Sequence, residues 1–263
     1  MTEVAIKRFD CQRFDKSETI KNRLRSIVTE IRFLNQYRHD NILPLFGYSF
    51  DGTSACLVYQ MMANGSLEHC LQQKKIHLTY KQRLNIAIGT ARGIQFLHTN
   101  MNGRATVHND IKTGNILLDE NFHPRLGDFG LAHQVNGGTT KSKRIFGTRP
   151  YMSPDLVAPD QTTMIISPKN DVFAMGVVLF ELATSLPAYD ERRGKLDMLT
   201  HLMRSVRDSP EKLCNLIDAR ERRYSSKALP ILMALIKIGF LCTKSKAIDR
   251  PEMSVVFNSL RTI

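Results

Sequence analysis

The feature that most constrains this chain is the stretch 108–131, which reads HNDIKTGNILLDENFHPRLGDFGL. Asp110 is followed by Asn115 and then by Asp128. Between the last two lie ILLD, whose apolar part is typical of a short strand, and turn residues at Glu120–Asn121. We therefore predict a hairpin that returns Asn115 and Asp128 to one place, where their side-chain oxygens would bind Mg²⁺.

Asp110 is expected beside this metal site, as a carboxylate that accepts a proton from a hydroxyl group. Such a layout is what phosphoryl transfer requires, because positioning and charge neutralisation supply most of its catalysis. The order Asp-x-x-x-x-Asn followed at this interval by Asp-Phe-Gly resembles the catalytic loop and metal-binding segment of protein kinases. The first motif alone is a weak signal, and the second makes the resemblance specific.

Two upstream elements occur in the order in which a protein kinase has them. Residues 3–9 alternate as a strand does and carry Lys7, and an apolar stripe after Ser17 predicts a helix that carries Glu30. The stripe consists of Ile20, Leu24, Ile27, Ile31 and Leu34. Taken alone, Lys7 and Glu30 are typical solvated residues. The resemblance implies instead that Glu30 pairs with Lys7 and orients it on the ATP phosphates.

Local signals predict the elements between this helix and the catalytic stretch. The runs 43–50 and 55–60 are joined through Asp51–Gly52, which indicates a hairpin. Helix caps are predicted at Ser66 and, as a capping box, at Thr79–Gln82. The second cap opens a long helix.

The resemblance identifies the segment after this hairpin as the hinge between two lobes. It implies that backbone groups of Gln60 and Met62 bind the adenine edge and that Tyr59 closes the back of the pocket. A second interpretation stays open, in which Met61 and Met62 only fill the core.

Residues 133–145 form a polar segment that is rich in glycine, hydroxyl and basic residues, so we predict a mobile loop. The sequence FGTRPYMSPD follows it. The resemblance identifies the whole as the activation segment, in which phosphate on Thr139, Thr140 or Ser142 would lie beside basic residues and order the loop. The same hydroxyl groups equally suit a solvated loop.

The C-terminal half predicts helices. Residues 170–183 are apolar almost all round, which indicates a buried helix. Further helices are predicted at 196–207, 211–218, 228–242 and 251–262. The resemblance implies that Asp171 binds the backbone of His108–Asn109 and that Arg250 pairs with Asp155.

The resemblance covers essentially the whole chain and is closest to the Pelle and interleukin-1-receptor-associated kinases. It rests on CLVYQMMANGSLEHCL, GTARGIQFLH and NILLDENFHPRLGDFGLA. Lys112, two residues after Asp110, is typical of the serine/threonine enzymes. The resemblance implies an α+β, two-lobed kinase fold, with residues 1–62 in a partial, β-rich N-lobe and residues 63–263 in a larger, mainly α-helical C-lobe.

The sequence departs from the family pattern at three places. Asn109 replaces the Arg of His-Arg-Asp, so phosphorylation of the loop is expected to be less decisive. Asp155 replaces the Glu of Ala-Pro-Glu and shortens its pair with Arg250 by one methylene. Only six residues precede Lys7, where the family has two more strands and a Gly-rich loop. We expect an incomplete sequence or an alternative start, and an exposed edge on the Lys7 strand.

The composition of the chain limits the classes of partner that it is expected to bind. A net charge of +12 without any nucleic-acid motif favours a basic surface over nucleic-acid binding. No signal peptide is visible and the longest apolar run, 172–180, is too short for membrane insertion. Five cysteines without paired spacing indicate a cytoplasmic protein with reduced thiols. The expected partners are a protein substrate and, by the resemblance, death-domain adaptor complexes reached through a region outside this chain.

Three functions compete. In the first, the chain is a protein serine/threonine kinase of Toll/interleukin-1-receptor-type innate immune signalling, with ATP and Mg²⁺ as cofactors. Its catalytic residues would be Asp110, Lys112 and Asn115, its metal ligands Asn115 and Asp128, and its nucleotide-binding residues Lys7, Glu30, Tyr59, Gln60, Met62 and Asp128. In the second, it is a weak or inactive kinase-like scaffold, because the Gly-rich loop is absent. The third is a small-molecule phosphotransferase, against which the protein-substrate platform expected at 146–155 argues.

Overall fold

A computed structural model describes residues 3–10, 17–51, 54–73, 76–99, 104–136, 138–156 and 163–263. Its strands are β1 (Val4–Asp10), β2 (Leu45–Asp51), β3 (Ser54–Gln60), β4 (Arg104–Val107), β5 (Ile116–Leu118), β6 (Pro124–Leu126), β7 (His133–Asn136), β8 (Thr140–Ser142) and β9 (Met164–Ile166). Its helices are α1 (Ser17–Gln36), α2 (Leu67–Gln72), α3 (Tyr80–His98), α4 (Pro168–Thr184), α5 (Leu199–Val206), α6 (Pro210–Leu216), α7 (Ala219–Tyr224), α8 (Ala228–Cys242) and α9 (Met253–Arg261). A small sheet-rich part precedes a larger helical part, and the predicted α+β architecture is confirmed.

The sheet-rich part contains three antiparallel strands in the order β1-β3-β2. The predicted hairpin of β2 and β3 is present, with Tyr48 opposite Leu57, while Gly52 lies outside the described residues. Lys7 is also opposite Leu57, and Ile6 on the other face of β1 is 63% exposed. Among the described strands β1 pairs with β3 alone, so it has the free edge that the sequence predicted.

α1 buries the predicted stripe over its C-terminal half. Ile27 and Leu34 are almost completely inaccessible to solvent, and so is Glu30 between them. Leu24 is 39% exposed, and the side chain of Ile20 lies outside the described residues. The buried end of α1 is therefore the end that carries the acidic residue.

The helical part is built around α4, which is buried over most of its length, as its apolar sequence predicted. α4 meets α8 at two glycines. A Cβ on Gly176 would lie 2.7 Å from the Cβ of Cys242, and a Cβ on Gly239 would lie 2.6 Å from the ring of Phe180. Only residues without a Cβ allow this close approach of the two backbones.

The other helices follow the predicted ones with small differences. The predicted caps are present, since Ser66 accepts the backbone N–H of His69 and Thr79 forms a capping box with Gln82. α8 has the predicted bounds, and α5, α6 and α9 are shorter than predicted. α7 was missed, because its sequence ARERRY shows no apolar stripe. None of the described helices has the length and apolar character needed to cross a membrane.

The prediction of a loop over 133–145 is wrong in part, because this segment contains two short strands. β7 pairs with β4, with His133 opposite Val107, and β8 pairs with β9. Backbone groups form these ladders whatever the polarity of the side chains, so polar composition did not reveal them. β7 also contributes to a small second core, which consists of Val107, Val135, Leu156, Met164 and Ile166.

Candidate active site

A cleft of about 330 Å³ lies where the three-stranded sheet meets the β5–β6 hairpin. All six predicted nucleotide-binding residues line the cleft, namely Lys7, Glu30, Tyr59, Gln60, Met62 and Asp128. The predicted metal ligand Asn115 also lines it. Residues distant in sequence therefore converge on one concave surface, which is the usual form of a small-molecule site.

The ammonium group of Lys7 is held between two carboxylates. Its Nζ lies 3.0 Å from Glu30 Oε2 and 3.1 Å from Asp128 Oδ1. Burial lowers the pKa of Lys7, but the charges of Glu30 and then Asp128 outweigh burial and raise it above its usual value. Lys7 is therefore a fixed positive charge within the cleft.

Tyr59 connects the sheet to α1. Its hydroxyl donates to Glu30 Oε1 over 2.7 Å, so both carboxylate oxygens of the buried Glu30 have a donor. Burial and the charge of Glu30 raise the pKa of Tyr59, which keeps it protonated as a donor. The sequence placed Tyr59 at the back of the pocket and did not reveal this hydrogen bond.

The predicted β5–β6 hairpin is present, with Ile116 opposite Leu126. The N–H of Gly127 donates to the carbonyl of Asn115 over 2.9 Å, which places Asn115 beside the residue before Asp128. The backbone at Asp128 is left-handed, with φ of 60°. That conformation is uncommon outside glycine, asparagine and aspartate.

Asp110 lies next to the cleft at the centre of a polar cluster. Its Oδ2 accepts hydrogen bonds from Asn115 Nδ2 and Lys112 Nζ, both over 2.9 Å. Its Oδ1 accepts from the hydroxyl of Thr148 over 2.6 Å, and Lys112 Nζ also donates to Thr148 Oγ1 over 2.8 Å. A carboxylate has about four acceptor positions, so one position on Oδ1 remains for another hydroxyl group.

The same contacts control the charge of Asp110. Burial raises its pKa, but the hydrogen bonds from Thr148 and Lys112 outweigh burial and lower the pKa below its usual value. Asp110 is therefore ionised at neutral pH. Thr148 was not among the predicted site residues, although its position in FGTRPY, directly after the polar segment, was a usable signal.

Asp171, on α4, holds the backbone that leads to Asp110. Its Oδ2 accepts the N–H of His108 over 2.8 Å and its Oδ1 accepts the N–H of Asn109 over 2.9 Å, as the resemblance implied. Asn109 has φ of 64°, a conformation that asparagine tolerates better than most residues. Its side-chain amide donates to the carbonyl of Leu131 over 2.9 Å and so connects this loop to the residues after Asp128.

The predicted hinge is fixed to the β5–β6 hairpin by backbone bonds. The N–H of Asn64 donates to Leu118 O over 3.0 Å, and the N–H of Leu118 donates to Gly65 O over 2.8 Å. Gly65 has φ of 66°, which suits glycine. Met62 is buried and Met61 is 43% exposed, so Met62 lies in the core and lines the cleft at once.

The predicted pair of Arg250 and Asp155 is present despite the shorter acid. Nη2 of Arg250 donates to Asp155 Oδ1, and the N–H of Ala247 donates to Asp155 Oδ2 over 2.6 Å. Arg250 is buried and also donates to the carbonyls of Lys244 and Lys169. The ion pair therefore forms with aspartate in place of glutamate, and backbone carbonyls are further partners of the guanidinium group.

The residues of the cleft fit a nucleotide and a magnesium ion in their donor chemistry. Asn115 uses its Nδ2 toward Asp110, which leaves Oδ1 as an oxygen donor. Asp128 uses Oδ1 toward Lys7, and its side chain is 43% exposed. Oxygen donors of this kind are the protein ligands that Mg²⁺ prefers, and two carboxylate or amide groups are a typical number where substrate phosphates complete the shell.

Comparisons with known proteins agree with this geometry. A family model described as "Protein kinase domain" matches residues 1–239. The chain is 35% identical to the Pelle-like serine/threonine-protein kinase pik-1 of Caenorhabditis elegans, over 98% of this chain and 55% of that protein. It is 36% identical to the serine/threonine-protein kinase pelle of Drosophila melanogaster, over 89% of this chain and 47% of that protein. It is also 35% identical to the probable serine/threonine-protein kinase PBL8 of Arabidopsis thaliana, over 91% of this chain and 57% of that protein. The chain spans about half the length of these relatives.

Proposed function

The chain belongs to the protein kinase family, as the sequence predicted, and from that premise we propose that it transfers the γ-phosphate of ATP to serine and threonine hydroxyl groups of proteins. One observation carries the proposal. The ionised Asp110, whose Oδ1 accepts a single hydrogen bond among the described residues, lies beside a cleft in which Lys7 is held as a fixed cation. Such a pairing of a hydroxyl acceptor with a phosphate-binding cation is what phosphoryl transfer needs.

In this proposal the upper part of the cleft binds the nucleotide. Lys7, oriented by Glu30, binds the α- and β-phosphates, while backbone groups of Gln60 and Met62 bind the adenine edge. Tyr59 closes the back of the pocket and restrains Glu30 through its hydroxyl. When bound, Mg²⁺ neutralises phosphate charge, with Asn115 and Asp128 as its protein ligands.

The lower part of the cleft acts on the protein substrate. Asp110 accepts a hydrogen bond from the substrate hydroxyl on Oδ1, orients its oxygen and takes its proton. Lys112 neutralises negative charge that develops on the transferred phosphoryl group. Thr148 fixes the side chains of Lys112 and Asp110 relative to each other, because its hydroxyl forms a hydrogen bond with both.

We further propose a division of the chain into two lobes, a cellular location and a signalling role. Residues 1–62 form part of the N-lobe and residues 63–263 the C-lobe. The protein acts in the cytoplasm in Toll/interleukin-1-receptor-type innate immune signalling, and a region outside this chain joins death-domain adaptor complexes. The similarity to a Pelle-like kinase and to pelle supports this setting.

The test is a transfer assay with radiolabelled ATP, Mg²⁺ and a basic protein such as myelin basic protein, followed by phosphoamino-acid analysis. We expect phosphoserine and phosphothreonine in the product and none with Lys7→Met. Phosphotyrosine alone would contradict the serine/threonine assignment. A folded chain that binds MgATP without transferring phosphate, or binds none, would favour the scaffold function instead.

A further inference from the structure

A second cavity, of about 420 Å³, lies between α1 and the ribbon formed by β4 and β7. We call it the α1–β7 pocket. It shares no lining residue with the nucleotide cleft. The residues that matter for its chemistry are Thr29, Arg32, Phe33, Arg104, Gln134 and Asn136. The pocket is therefore a separate concave surface on the same helix that carries Glu30.

The lining combines an apolar base with polar walls. Phe33 is only 3% exposed and belongs to the main core. Arg104 is opposite Asn136 in the β4–β7 ladder, and Gln134 lies two positions along β7, so these three residues share one face of the ribbon. Thr29 and Arg32 line the pocket from α1. Hydrogen-bond donors thus come from both walls.

The pocket carries positive charge that the described residues do not neutralise. Arg32 donates to the amide oxygen of Gln134 over 3.2 Å and lies over the ring of Phe33, 5.8 Å from its centroid. Neither Arg32 nor Arg104 forms an ion pair with any carboxylate in the described ranges, and none of the lining residues is acidic. Two guanidinium groups on opposite walls therefore line one cavity without a carboxylate partner among the residues that the structure describes.

We propose that the α1–β7 pocket is a binding site for a phosphate monoester, whose oxyanion Arg32 and Arg104 hold from the two walls. Guanidinium groups bind phosphate oxygens through paired, charge-assisted hydrogen bonds, which makes arginine the suitable residue here. Thr29, Gln134 and Asn136 supply further polar groups. The phosphate is carried either by a phosphorylated protein side chain or by a small molecule, since the shared chemistry is the monoester.

Occupation of the pocket connects two elements of the active site. Arg32 lies two residues after Glu30 on α1, and β7 begins five residues after Asp128. Glu30 and Asp128 are the two carboxylates that hold Lys7. A ligand that binds both walls thus favours the arrangement in which Lys7 is held, and we expect it to raise the affinity for the nucleotide. By linkage, bound nucleotide raises the affinity of the pocket for its ligand by the same factor. This second effect rests on the proposed kinase function, while phosphate binding does not.

The first experiment measures phosphate binding by calorimetry at constant ionic strength in a Lys7→Met background, which removes the cleft's cation. The probes are inorganic phosphate and a synthetic phosphothreonine peptide. We expect Arg32→Gln and Arg104→Gln each to weaken binding about tenfold, because each removes charge-assisted hydrogen bonds. The matched control is Arg92→Gln, an exposed arginine 3.6 Å from Asp40 that does not line the pocket, which should change affinity less than twofold.

Each result decides the proposal. Unchanged affinity in both pocket variants, or no binding of either probe by the parent, overturns the site. Where Arg32→Gln and Arg104→Gln weaken binding, the site is supported and the preferred probe assigns the phosphate. Tighter binding of the peptide then assigns it to a protein side chain, and tighter binding of inorganic phosphate assigns it to a small molecule.

The second experiment measures MgATP affinity of the chain with native Lys7, with and without the preferred probe. We expect the probe to tighten MgATP binding in the native chain and to have no effect in Arg32→Gln. If the probe binds but MgATP affinity does not change, the coupling is wrong. If MgATP does not bind at all, the proposed kinase function fails, and the first experiment still decides the pocket.

Discussion

Replacing Tyr59 by phenylalanine removes one hydrogen bond of the candidate active site. The substitution removes only the hydroxyl that donates to Glu30 Oε1 over 2.7 Å. Glu30 is 1% exposed, so solvent does not replace the lost donor. A hydrogen bond to a buried charged group is worth about 1.5–3 kcal/mol, and we expect Tyr59→Phe to lower the free energy of unfolding by about 2 kcal/mol. In a chain of this size that corresponds to a fall in Tm of about 4–8 °C.

The assay is urea denaturation followed by circular dichroism, with MgATP affinity measured on the same samples. The matched control is Tyr48→Phe. Tyr48 is 53% exposed, and its hydroxyl has no hydrogen-bond partner among the described residues. We expect the control to lie within about 0.5 kcal/mol of the native chain. Equal stability of the two variants would refute the conclusion that the Tyr59 hydroxyl restrains Glu30.

Three further predictions concern the packed helical part. Burial raises the pKa of Glu181 to about 8, against 4.5 in the unfolded chain. Between those pH values the unfolded chain releases a proton that the folded chain keeps, so the free energy of unfolding should fall as pH rises, and Glu181→Gln should flatten that dependence in denaturation curves. Gly239→Ala places a Cβ 2.6 Å from the ring of Phe180 and should cost about 2 kcal/mol in the same assay; an unchanged midpoint would contradict the close contact. Asp155→Asn leaves the buried Arg250 without its carboxylate and should cost about 2 kcal/mol, whereas Asp155→Glu should keep most of the stability.

Local signals in the sequence predicted those parts of the site that neighbouring residues determine. The caps at Ser66 and Thr79, and the hairpin that directly follows Asn115, depend on short spacings and were found. The contact of Asp171 with the catalytic loop was implied by resemblance, because its partners are 62 and 63 residues away.

Contacts between distant residues explain what the sequence did not reveal. Tyr59 and Glu30 are 29 residues apart, and Thr148 and Asp110 are 38 apart, so no local pattern connects them. The strands β7 and β8 were missed for another reason. Their polar side chains indicate a loop, while backbone pairing with β4 and β9 determines the structure.

The most direct test of the account compares Asp110→Asn with Asp128→Asn in two assays, MgATP affinity and phosphoryl transfer. Asp110 is placed to act on the substrate hydroxyl, so Asp110→Asn should abolish transfer while MgATP affinity stays within about threefold of the native chain. Asp128→Asn should weaken MgATP binding itself, because Asp128 holds Lys7 and is proposed to bind the metal. The central claim is that Asp110 acts on the substrate hydroxyl while Asp128 acts in MgATP binding. Two results would contradict it: phosphoryl transfer that persists in Asp110→Asn, or a loss of MgATP binding in Asp110→Asn as large as in Asp128→Asn.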